Sequence, residues 1–157
     1  MKRSLLILFT LFLSKILLAE HITGGEMYYT YLGSTPEGHK YQITLKLFRH
    51  CLGNGAQLDN TAAIGIFNKS TGGMIWTQRV PMQTRDELRL SSPGPCVTNA
   101  PEVCYQVGFY EFTVELPESL NGYTVSYQRC CRIFGINNLI NSGGSGATYL
   151  ADIPGTN

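Results

Sequence analysis

The sequence predicts an all-β chain, an antiparallel β-sandwich of immunoglobulin-like type, with a small β-barrel as the alternative. Three observations carry this expectation. Period-two apolar patterns recur through residues 20–157, and clusters of Gly, Pro, Asn and Ser separate them. No stretch of that region keeps a 3.6-residue apolar period for the length of a helix. Short alternating segments joined by turns suit layered strands, each of which buries one face.

The first nineteen residues read as a signal peptide. Lys2 and Arg3 form a basic start, and an apolar stretch runs from Leu5 to Leu18, interrupted by Ser14 and Lys15. The unbroken run Leu5–Leu13 holds about nine residues, which suits a signal core, whereas a spanning helix needs roughly twenty. Ala19 supplies a small residue at the cleavage edge. Residues 20–157 then form a single module, expected to be the N-terminal part of a longer protein because the chain stops soon after its last strand.

Eight strands are expected: Glu26–Leu32, Lys40–Arg49, Ala62–Asn68, Met74–Val80, Arg85–Leu90, Cys104–Leu116, Tyr123–Cys131 and Ala147–Ile153. In the sixth, Tyr105, Val107 and Phe109 are apolar on odd positions, and then Tyr110, Phe112, Val114 and Leu116 on even ones. A glycine at that phase change, Gly108, predicts a β-bulge. Asn121-Gly122 marks a turn, and 141–146, Asn-Ser-Gly-Gly-Ser-Gly, a flexible loop.

Of the 12 basic residues, Lys2, Arg3 and Lys15 leave with the signal, so nine basic residues face 11 acidic ones. No basic patch remains to suggest a nucleic acid or anionic lipid as partner, and no second apolar stretch of spanning length follows. The five cysteines, Cys51, Cys96, Cys104, Cys130 and Cys131, all lie in the exported part, where oxidation favours disulfides. Zinc is disfavoured because there is no CxxC pair and the three histidines have no i, i+4 partner. Pro95 and Pro101 stiffen a short loop that a Cys96–Cys104 bridge would pin. Strand parity puts Cys51 and Cys131 on apolar faces, which favours Cys51–Cys131; Cys130 is left as the alternative partner or a free thiol, since a bulge reverses parity.

No catalytic constellation stands out. His50 and Cys51 are adjacent and on a strand point to opposite faces, so the histidine is badly placed as a base. Glu111 and Glu115 lie about 13 Å apart along one strand, too far for a glycosidase pair. Asp59, Asp86, Glu87 and Asp152 offer loop oxygens, but no calcium-loop run is present. The chain is therefore expected to be non-enzymatic and without a cofactor. Trp76, Tyr28 and Tyr110, with Tyr29 and Tyr31 nearby, are the candidates for an aromatic platform that binds sugars.

Several phrases carry a family resemblance. His21-Ile-Thr-Gly-Gly-Glu-Met27 opens the exported part, Phe48-Arg-His-Cys51 and Ala63-Ile-Gly-Ile-Phe67 follow, and Pro101-Glu-Val-Cys104 comes later. The most specific phrase is Gly122-Tyr-Thr-Val-Ser-Tyr-Gln-Arg-Cys-Cys-Arg132, with Gly146-Ala-Thr-Tyr149 after it. Together they resemble the N-terminal region of large secreted surface proteins of Bacteroidetes, the PKD-domain or gliding-motility-associated group. The resemblance implies export by the type IX route, display at or release from the cell surface, and further immunoglobulin-like modules in the same polypeptide. It implies no catalytic residues. The expected role is a non-enzymatic module of adhesion, surface structure or gliding motility, meeting an extracellular protein or glycan. A carbohydrate-binding module is the alternative, and a secreted hydrolase comes third.

Overall fold

The computed structural model describes residues 22–52, 55–90 and 94–156. The signal-peptide expectation for residues 1–19 lies outside them. Among the described residues seven strands form: β1 (Ile22–Thr35), β2 (Gly38–His50), β3 (Thr61–Asn68), β4 (Met74–Arg89), β5 (Cys104–Leu116), β6 (Tyr123–Arg129) and β7 (Ala147–Ile153), with one short 3-10 turn at Ser142–Gly144. Among the described residues there is no α-helix.

The strands hydrogen-bond in the order β1-β2-β5-β4-β3-β6-β7, every pair antiparallel. β4 belongs to both layers. Its first half pairs with β3, Met74 to Pro81, and its second half with β5, Met82 to Arg89. A strand that leaves one sheet for the other folds the seven into a sandwich whose outer strands, β1 and β7, come side by side. Seven alternating strands put the first and last in the same direction. The closing seam is therefore parallel and carries no ladder, and the barrel is nearly but not fully closed. Gly25 keeps the seam tight: a Cβ there would lie 2.7 Å from the Lys46 carbonyl and 2.8 Å from the Tyr149 ring.

The core follows the alternation. Tyr41, Ile43, Leu45 and Leu47 of β2 point inward against Ile64 and Ile66 of β3, Val80 of β4 and Val125 of β6, all buried. Full burial of each aliphatic side chain contributes about 1.5–3 kcal/mol. Trp76 stacks on Phe112 at 4.8 Å, closing the core between β4 and β5.

Two sequence expectations are corrected. Met74–Val80 and Arg85–Leu90 are one strand, continued through Pro81. Proline has no N–H to give, and the next amide, that of Met82, donates to the Asn60 carbonyl as the strand changes sheets. The expected bulge at Gly108 is absent, because β2 and β5 pair without a shift from His39/Leu116 to His50/Tyr105. The irregularity sits on the neighbouring strand, between Met82 and Thr84. Gly108 faces inward, where a Cβ would meet Leu58 Cδ1 at 2.9 Å and Met82 Sδ at 3.0 Å. The apolar odd positions Tyr105, Val107 and Phe109 instead cover the outer face beside Phe48, so the phase change marks two apolar faces rather than a slip.

Candidate functional site

Strand direction sorts the connections into two poles. One pole holds only the tight turns after β1 and β3, the 117–122 connection and the end of β7. The other holds the three long connections, 51–60, 90–103 and 130–146, and all five cysteines. Recognition surfaces commonly form this way, on irregular loops held by a rigid frame.

The 51–60 loop is anchored from below. Arg49 is buried in the mouth of the fold, and its guanidinium donates to the carbonyls of Gly55 and Ala56, both at 2.7 Å, and to Gln106 Oε1 at 3.1 Å. The Tyr110 hydroxyl donates to the Asp59 carbonyl at 2.6 Å, Leu58 is buried, and Arg129 pairs with the Asp59 carboxylate. Burial holds the Tyr110 phenol up to about 12 and lowers the Arg129 guanidinium below its ordinary value.

The 130–146 loop is tied to the frame by its backbone. Arg132 donates from its amide to the Ser145 carbonyl at 3.1 Å and from Nε to the Gly146 carbonyl at 3.0 Å. Ile133 N–H donates to the Ile22 carbonyl, and Ser142 of the same loop is buried. Apolar side chains nevertheless point outward: Phe134, Leu139 and Ile140, the last 97% exposed, with Leu52 and Val97 on the other two loops. An aliphatic side chain held in water on an ordered loop is the feature that invites a partner.

The disulfides correct the sequence reading. Cys51 bonds Cys104, and Cys130 bonds Cys131, which leaves Cys96 free and exposed. Neither Cys96–Cys104 nor Cys51–Cys131 forms. The reason is topological: His50 and Tyr105 are register partners, so Cys51 and Cys104 stand opposite each other at the ends of β2 and β5, with Cα atoms 5.4 Å apart. β6 lies across the sandwich from β2, and it ends at Arg129, so strand parity does not extend to the vicinal cysteines. What sequence reasoning lacked was the β2–β5 neighbourhood, which no local pattern encodes.

The aromatic platform is also corrected. Tyr110 is fully buried, Trp76 packs on Phe112, and Tyr28 lies on the outer face under the Lys46 ammonium, 5.1 Å from its ring centre. The three never share a surface. His50 turns to the Tyr105 ring on the outer face while Cys51 is bonded to Cys104. Glu111 accepts from the Thr44 hydroxyl, and Glu115 contacts Thr35. Asp152 accepts from the Thr124 hydroxyl at 2.7 Å and pairs with Lys69, which together hold its carboxyl below the ordinary carboxylate range. Among the described residues one trio of potential metal ligands converges, Cys51, Glu87 and Cys104, and its two sulfurs are bonded to each other. As a disulfide they are poor donors, so the trio does not fit an ion.

No helix among the described residues is long and apolar enough to cross a membrane. Comparison with protein-family models, with curated proteins and with solved structures finds no match for this chain.

Proposed function

We propose that this chain is an exported, non-enzymatic cell-surface module of the adhesion, surface-structure or gliding-motility class, and that the pole of long loops meets a protein partner. The observation that supports the reading is the concentration of the three long connections, both disulfides and the exposed Phe134, Leu139 and Ile140 at one end of an otherwise tightly turned sheet. Hydrogen bonds from Arg132 and Ile133 and the Cys51–Cys104 bridge hold the loop bases to the frame, which limits the entropy lost on binding. The resemblance to secreted Bacteroidetes surface proteins adds the route, type IX export, and the expectation of further modules in the same polypeptide.

The test is twofold. Intact producing cells are treated with a membrane-impermeant maleimide, and the product is read by mass spectrometry. A surface module is labelled at Cys96 and begins near residue 20, whereas an unlabelled product with residues 1–19 attached and every thiol reduced ends the proposal. Beads coated with the exported chain are then scored for attachment to those cells. Phe134→Ser with Ile140→Ser abolishes attachment if the loop pole is the contact surface, and undiminished attachment refutes that assignment.

A further inference from the structure

At the opposite pole, β1 and β2 overhang the seam and meet the residues that follow β7. Tyr29, Tyr31, His39 and Tyr41 from the hairpin face Pro154, Gly155 and Thr156 across a cavity of about 210 Å³. The rings form one cluster: Tyr29 meets Tyr41 edge-on at 5.7 Å, Tyr31 lies 5.6 Å from Tyr41, and His39 5.8 Å from Tyr31. Tyr31 is 51% exposed, so its ring is available at the entrance.

The polar groups of this cavity are only loosely committed to one another. His39 Nδ1 sits 3.3 Å from Ser34 Oγ and 3.4 Å from the Tyr31 hydroxyl, long contacts for hydrogen bonds, while the Tyr31 and Ser34 oxygens are 2.8 Å apart. His39 Nε2 is shielded from solvent with no partner, and so is Thr156 Oγ1 on the facing wall.

From this we infer a binding site for one neutral pyranose ring, the terminal sugar of a glycan, with Tyr31 and Tyr29 against the apolar face of the sugar and the exposed Tyr31 hydroxyl and His39 Nδ1 toward its hydroxyls. Size limits the ligand to about one ring, because the cavity is smaller than the roughly 300–1,000 Å³ of sites for drug-sized molecules. Chemistry limits it further. None of the seven lining residues is a carboxylate, lysine or arginine, which favours an uncharged ligand. A sugar hydroxyl both donates and accepts, which matches the His39 Nδ1 in either tautomer and the Tyr31 hydroxyl. The alternating apolar and hydroxylated faces of a pyranose match tyrosine rings beside them. This site is independent of the loop pole and stands or falls by its own experiment.

Ligand-observed NMR on the exported chain, with the methyl glycosides of glucose, galactose, mannose and N-acetylglucosamine, tests the site. At least one glycoside is expected to bind with a Kd of about 1 mM. Tyr31→Ala and His39→Ala each weaken it at least tenfold, while Tyr28→Ala, on the outer face, leaves it unchanged. Tyr31 is half exposed, so its loss spares the fold, and an unaltered circular dichroism spectrum checks this. Absence of binding by all four glycosides, binding that survives Tyr31→Ala and His39→Ala, or equal loss in Tyr28→Ala overturns the inference.

Discussion

Replacing Cys51 and Cys104 together by alanine separates the two possible sulfur frameworks. Their bridge spans 53 residues, and in the chain-entropy model a loop of that length is worth about 4 kcal/mol at 25 °C. Against the roughly 5–15 kcal/mol that holds a typical domain, that is a large share. Urea unfolding followed by Trp76 fluorescence reads it directly, since Trp76 is stacked on Phe112 only in the folded chain. With a slope of about 2 kcal/mol per molar, the midpoint falls by about 2 M. Cys96→Ala is the control. Cys96 is exposed and unbonded, so its removal leaves the midpoint in place. Had Cys96 bonded Cys104 across a loop of about eight residues, the same model would assign that loss about 2.5 kcal/mol. A midpoint that drops with Cys96→Ala, or that barely moves in the Cys51/Cys104 double variant, refutes the β2–β5 bridge. Removing Cys130 and Cys131 together has the smaller effect of the two bridge deletions, because adjacent residues enclose no length of chain.

Two further outcomes follow from the core. Burial raises the Tyr110 phenol above its unfolded value, to about 12, so the contribution it makes is complete below about pH 10 and is lost as pH rises from there toward 12. Tyr127 and Tyr149 are shifted the same way, by burial first. Stability measured against pH should fall in that window, and Tyr110→Phe should flatten the slope while costing about 1 kcal/mol at neutral pH through the lost bond to the Asp59 carbonyl. Gly108→Val should cost about 1–3 kcal/mol in thermal unfolding, because the new methyls enter the space of Leu58 and Met82. A neutral result would mean that both side chains relax freely.

The outer face of β5 carries an apolar set of its own, which is why the phase change at Gly108 does not mark a bulge. An apolar residue on a strand does not by itself report which face of the sheet it lies on. Tyr105, Val107 and Phe109 lie on the outer face beside Phe48, with Tyr105 exposed, and Tyr110, Phe112 and Val114 on the inner face against the core. The aromatic platform failed for the same reason. Trp76, Tyr28 and Tyr110 share no periodicity, and only the sheet order shows that they face three different surroundings.

Read alone, the chain declared its β character, the positions of nearly all its strands, the inward set of β2 and the cysteine-rich composition that disulfides require. Those are local quantities: alternation, turn residues and residue type act over a few positions and survive any global arrangement. Which strands are neighbours, which sulfurs meet, why Pro81 interrupts nothing and where Tyr31 and His39 stand against Thr156 were decided only in the folded sheet. Contacts between residues tens of positions apart depend on strand order, and strand order is set by how the whole set of apolar faces packs at once.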